Sequence, residues 1–279
     1  MLIEHYFSRL LTFSSTPQCQ SLFQQRHINL EKSIHPEKSI LPLYPGDKNT
    51  AFPDDITLAR LCADSYNPGK HPIADVTRAD KQTLARLSLT PAQLRTPSGL
   101  QSMVYHYQDT GILAFAGSND MADMMTNIRQ GRGLPSRQYS EAVRLATHLL
   151  SHSSYPWLII GHSLGGGLAS LCAVVLQQPA VIFNAAGLAE NTLVREGLSL
   201  QTAQQHGASL IRHYVLEHDW LTHIQDGMDI PKALGRRIAL DYYPQQTAHS
   251  VLQKLILGVK AHMLTQVVTA MENKPEHLL

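Results

Sequence analysis

The chain has 279 residues, 43% hydrophobic and 16% charged, enough for one large α/β domain with a sizeable buried core. Its 23 Lys and Arg nearly balance its 22 Asp and Glu, so no basic field recruits nucleic acid. The three cysteines, Cys19, Cys62 and Cys172, cannot all pair and lack metal-ligand spacing, which fits folding in a reducing compartment.

Residues 1–13 begin apolar but carry Glu4, His5 and Arg9, with no basic start, unbroken apolar stretch or small-residue cleavage site. The expectation is a protein made in the cytoplasm without a cleaved leader, exported if at all by a leaderless route. No window approaches the ~20 apolar residues of a membrane span, so a membrane would be met from its surface. Residues 14–53 are rich in Ser, Gln, Pro, Lys and His, and residues 1–53 read as an irregular arm or cap segment. Residues 54–279 read as one domain.

Within that domain, residues 54–66 show helical spacing through Ile56, Leu58, Leu61, Cys62 and Tyr66, after an acidic start that suits a helix N-terminus. Residues 102–117 read as two strands around a turn at Asp109, Thr110 and Gly111. A helix follows, with Ser140 as its cap and Val143, Leu145, Ala146, Leu149 and Leu150 facing inward. Leu158–Ile160 belongs to a short buried strand, 164–178 to a helix of small and apolar residues ending before Pro179, and 180–183 to another buried strand. Residues 211–219 form a strand with a polar end, 236–243 one more strand, and 248–268 a long closing helix. Short apolar strands alternating with helices imply a mostly parallel sheet covered on both faces.

Gly161-His162-Ser163-Leu164-Gly165 falls between the strand and the small-residue helix. There G-x-S-x-G is a strand–turn–helix bend: Gly161 and Gly165 let strand and helix approach, and the strained turn lifts the Ser163 hydroxyl above the sheet. The helix start offers free N–H groups and partial positive charge to an oxyanion, chiefly through Leu164. A second donor is expected from the N–H of Ser118, just past the strand ending at Gly117. A serine nucleophile also needs a base and an orienting acid. Among Glu217, Asp219 and Asp226, Asp219 lies just past the apolar run 214–216 and is favoured, with Asp226 as backup. His249, at a loop–helix junction, is favoured as base; its near-neutral pKa allows it to take and return a proton. His262 sits thirteen residues deeper in an apolar helical run and reads as a packed or surface histidine.

Other patterns are weaker. His213, His218 and His223 recur every five residues, which matches neither a helix face nor a strand face, so no metal site is read there. Met121, Met124 and Met125, after the presumed oxyanion loop, suit either a greasy lip over the serine or a plain covering helix.

The stretches around residues 113–120, 161–169, 213–222 and 247–255, in this order, resemble the class 3 lipases of the α/β-hydrolase superfamily, in particular bacterial phospholipase effectors delivered by type VI secretion. Residues 126–146 and 181–188 extend the likeness to roughly residues 54–260. The resemblance implies an α/β-hydrolase fold, Ser163 as nucleophile, Asp219 as acid, His249 as base, and Ser118 and Leu164 as oxyanion donors. It also implies a lipid or membrane surface as substrate, most simply a glycerophospholipid ester, with a secretion machine or an immunity protein as a partner. No metal or organic cofactor is expected. The alternatives are a triglyceride or soluble-ester lipase, and a hydrolase-like scaffold that binds without catalysing.

Overall fold

The structure, a computed structural model, describes residues 52–69, 73–117, 136–242 and 251–273. The chain order is α1 (Asp55–Asp64), β1 (Val76–Arg78), α2 (Lys81–Arg86), α3 (Pro91–Leu94), β2 (Ser102–Tyr107), β3 (Thr110–Phe115), α4 (Ser136–Ser151), β4 (Trp157–His162), α5 (Leu164–Leu176), β5 (Ala180–Phe183), α6 (Glu190–Arg195), α7 (Leu200–Leu210), β6 (Ile211–Leu216), α8 (Trp220–Gly227), β7 (Arg236–Leu240), α9 (Val251–His262) and α10 (Leu264–Glu272). The strands form one seven-stranded sheet in the order β1 to β7. The first three pair antiparallel, and β3 through β7 run parallel. The alternating pattern implies this mostly parallel sheet, and the α/β-hydrolase architecture that it forms is the one the resemblance implies.

The parallel strands bury both faces and so read as continuous apolar runs. On one face Ile112, Ala114, Leu158, Ile160, Val181, Phe183, Tyr214, Leu216 and Leu240 alternate inward against Leu58, Leu61 and Cys62 of α1 and Leu264, Val267 and Met271 of α10. On the other face lies α5, flanked by α4 and α7. The α5 helix can be buried on nearly every side because its residues are small or apolar. Asp55 in the first turn of α1 accepts hydrogen bonds from Arg212 Nε and the Tyr214 hydroxyl, which fixes α1 across β6. Cys62 and Cys172 are buried free thiols. Among the described residues, no helix is long and apolar enough to cross a membrane.

Three expectations about local structure are corrected. The β2–β3 turn is tighter than read, because Thr110 and Gly111 already belong to β3 and only Gln108 and Asp109 link the strands. Ser140 is not a cap, since α4 already includes Ser136, one turn earlier. The long closing helix is two helices. Met263 adopts an extended conformation (φ −63°, ψ 130°) between α9 and α10, and this break places His262 at a helix end rather than inside a helix. The expected arm lies outside the described residues, apart from Phe52 and Pro53.

Candidate active site

Ser163 sits between β4 and α5 with φ 57° and ψ −125°, a backbone conformation that side chains other than glycine rarely take. Its main chain is pinned there. Its N–H donates to the Phe183 carbonyl at 3.1 Å, and its carbonyl accepts from Ala186 N–H at 2.9 Å and Gly166 N–H at 3.0 Å. The flanking glycines are steric requirements: a Cβ on Gly161 would collide with the Gly165 carbonyl, and one on Gly165 with the Phe115 carbonyl. The Ser163 side chain makes no capping bond to α5. Leu164, the first residue of α5, presents its N–H at the helix start, where helical geometry offers no internal acceptor.

Asp219 is 2% exposed and caps α8. A two-residue turn through His218, itself at φ 65°, releases it from the end of β6. One carboxylate oxygen accepts from Thr222 N–H at 2.8 Å and the other faces His262 Nδ1 at 2.6 Å. Burial alone would raise its pKa, but the attraction of the His262 ring in its charged form and the hydrogen bonds from His262 and Thr222 outweigh burial and hold the carboxyl below its ordinary range. The ionised carboxylate only accepts, so His262 Nδ1 carries the proton and Nε2 is left as acceptor. Ser163 Oγ then donates to His262 Nε2 at 3.0 Å. The imidazole is 1% exposed and packs against the Trp220 ring, centroids 5.4 Å apart. Hydroxyl, imidazole and carboxylate thus form one hydrogen-bonded line, an arrangement that can strip a proton from Ser163 and stabilise the resulting imidazolium.

The expectations for these residues therefore divide. The structure brings Ser163, Asp219 and Leu164 together, with Gly161 and Gly165 at the bend. It replaces the expected base: the imidazole that meets both Ser163 and Asp219 is His262, and His249 lies outside the described residues. The sequence conceals His262 because the break after it falls at Met263, with neither Gly nor Pro there, while Gly258 of the same run stays inside α9. A usable signal was there, since a histidine beside the apolar stripe Ala261, Leu264, Val267 and Met271 would be buried and would need polar partners. Asp226, the backup acid, pairs instead with Arg237 at 2.7 Å on the surface. Ser118 lies outside the described residues, as do Met121, Met124 and Met125. Gly117, just before Ser118, is wedged so tightly that an added Cβ would come 2.5 Å from the Tyr66 hydroxyl and 3.1 Å from Ser163 Cβ. Among the described residues no cluster of ligating side chains could hold a metal ion.

The polar residues behind the line were not singled out from the sequence. Tyr66 reads there as part of an apolar helix face, and in the structure its hydroxyl lies 2.7 Å from His162 Nδ1 and accepts from Gly117 N–H at 2.8 Å. His162 Nε2 lies 2.8 Å from the His262 carbonyl. Asn184, fully buried at the end of β5, donates to the Ala261 carbonyl at 3.1 Å and accepts from Leu216 N–H at 2.9 Å.

A family model described as a Tle-like phospholipase domain matches residues 57–272. The chain is 34% identical over 235 residues to the extracellular phospholipase A1 of Serratia liquefaciens, covering 79% of this chain and 72% of that protein. Among solved structures, the native Rhizomucor miehei lipase propeptide complex aligns with a TM-score of 0.47 at 18% identity, over 66% of each chain. A fungal lipase–inhibitor complex aligns with a TM-score of 0.42 at 16% identity, over 75% of this chain and 94% of that one.

Proposed function

The chain belongs to the Tle-like phospholipase family, and on that premise we propose that it is a phospholipase A that uses Ser163, His262 and Asp219 to hydrolyse the acyl esters of membrane glycerophospholipids. The observation that carries the reading is the hydrogen-bonded line from Asp219 through His262 to Ser163 at a strained strand–helix turn. Ser163 Oγ attacks the ester carbonyl carbon as its proton passes to His262 Nε2. Asp219 holds the imidazole in the required tautomer and stabilises its charged form. Leu164 N–H, joined by Ser118 N–H, holds the tetrahedral oxyanion. His262 gives its proton to the departing lysophospholipid oxygen, leaving an acyl ester on Ser163. A water then attacks that ester, His262 again taking and returning the proton, and free fatty acid leaves.

The relative named phospholipase A1 leads us to assign the sn-1 ester as the bond cleaved. The same relative's description as extracellular supports action outside the cytoplasm. The test uses vesicles of a glycerophospholipid with distinct sn-1 and sn-2 chains. Wild-type protein should release the sn-1 acid, and Ser163→Ala should lose nearly all of that release, down to the about 10³–10⁴-fold over water that binding and the oxyanion site alone sustain. Release unchanged in Ser163→Ala ends the mechanism, and release from triglyceride alone moves the substrate.

A further inference from the structure

We propose that the side chains of Asn184 and His162 are positioning residues: together they clamp the last carbonyls of α9 and so hold the His262 imidazole between Asp219 and Ser163. The proposal rests on the phospholipase reading above and adds to it how the base is kept in place.

The need for a clamp follows from the helix break. At the end of a helix the final carbonyls lose their internal partners. Met263 turns out of the helix, so the carbonyls of Ala261 and His262 are such orphans, and both are buried with their residues. Asn184 Nδ2 donates to the Ala261 carbonyl at 3.1 Å and reaches the His262 carbonyl at 3.4 Å. His162 Nε2 lies 2.8 Å from the same His262 carbonyl. Burial, then repulsion from the His262 ring in its charged form, push the His162 pKa down to about 3, so its ring is neutral with a single N–H. A carbonyl can only accept, which places that N–H on Nε2. Nδ1 then accepts from the Tyr66 hydroxyl, which burial keeps protonated by raising its pKa.

The chemistry of Asn184 fits the task closely. Its Oδ1 accepts from Leu216 N–H at 2.9 Å, three residues before Asp219, while its Nδ2 donates to the base-bearing helix end. A carboxamide accepts through one atom and donates through the other: Asp would set a carboxylate against two carbonyls, and Gly would reach neither. The residue also holds φ at 40°, a left-handed conformation that Asn tolerates better than most side chains. Asn184 thus ties the strand that carries the acid to the helix end that carries the base. His162 is the residue next to the nucleophile, so the His262 main chain is held from the backbone that sets Ser163. The same line continues through Tyr66 to Gly117 N–H at 2.8 Å, beside the expected second oxyanion donor.

The experiment compares wild type, His162→Asn, Asn184→Gly and the double variant on a monomeric short-chain phospholipid, with the thermal midpoint of each. His162→Asn still reaches Tyr66 but not the His262 carbonyl, and Asn184→Gly deletes the carboxamide at a φ that glycine accepts. Each single variant should lower kcat by about 10²-fold with KM unchanged, as a displaced base would. Both prongs act on one helix end, so the double variant should lose less than the product of the two. A folded single variant with wild-type kcat, a change in KM alone, or fully multiplicative losses would overturn the clamp. So would failure of both single variants to fold, which would make the pair purely structural. Active wild type with variants that keep its kcat overturns the clamp alone; wild type that releases no fatty acid overturns the phospholipase reading and, with it, the proposal.

Discussion

His262 Nε2 lies 3.0 Å from Ser163 Oγ although the two residues are 99 apart in the chain. The other ring nitrogen is committed to Asp219 at 2.6 Å, and the ring is almost wholly buried. Both nitrogens are therefore in use, and the ring's tautomer follows from the carboxylate it faces.

That geometry separates two histidines. His262→Ala is expected to lower phospholipid hydrolysis by about 10⁴–10⁶-fold in kcat, the cost of losing a triad base. His249→Ala is expected to stay within about threefold of wild type, because the position beside Ser163 is already filled. Rates of fatty-acid release from vesicles for the two variants check this, and the reverse ranking contradicts it.

The strained bend predicts a gain in stability on losing the catalytic group. Ser163→Gly removes a side chain from φ 57°. Relief of that strain, about 1–3 kcal/mol, should exceed the lost hydrogen bond to His262, about 1 kcal/mol. The variant should be inactive and melt a few degrees higher; calorimetry checks this, and a lower midpoint counts against the strain.

Burial also predicts how stability depends on pH. Desolvation is the leading cause that holds His162 down at about 3 and His213 at about 4. Both fold as neutral rings, while the unfolded chain takes up protons below pH ~6.5. The unfolded state then binds more protons, so stability falls as pH drops from ~6.5 toward the folded values, by roughly 1 kcal/mol per pH unit for each ring. Asp219, whose folded pKa is depressed, acts in the same direction at lower pH: its contribution is complete above the ordinary carboxylate range and is lost as pH falls through the folded value. Urea midpoints at pH 7, 6 and 5 should decline, and His162→Asn should flatten the decline. A midpoint independent of pH contradicts the neutral rings.

Away from the site, Asp55 anchors α1 to β6 through Arg212 and Tyr214. Its ion pair with Arg212 is nearly buried, with side chains 12% and 13% exposed. Asp55→Ala deprives the Tyr214 hydroxyl of its acceptor and should cost about 2 kcal/mol. Folded variant should keep wild-type kcat, because neither partner touches the triad. Denaturant unfolding and a rate assay on one preparation check both halves.

What the sequence revealed and what it concealed have physical causes. The parallel strands bury both faces, so 158–160 and 180–183 are unmistakable apolar runs, and the small residues of 161–167 announce the bend after them. Asp219 is legible because a polar residue follows an apolar strand. His262 is not, because its helix ends at Met263 without Gly or Pro, held by side-chain contacts from Asn184 and His162 that are distant in the chain. Tyr66 is concealed for a related reason: an aromatic on an apolar face reads as packing, and its hydroxyl's partners, His162 at the end of β4 and Gly117 just past β3, are distant in the chain.

The central claim is that the Ser163 oxygen carries the acyl group. A serine-directed fluorophosphonate, followed by peptide mapping and residual hydrolysis of phospholipid vesicles, tests it most directly. One phosphonate per chain on Ser163, with hydrolysis lost in proportion to labelling, is the predicted result. Protein fully modified at Ser163 that still hydrolyses phospholipid would contradict it.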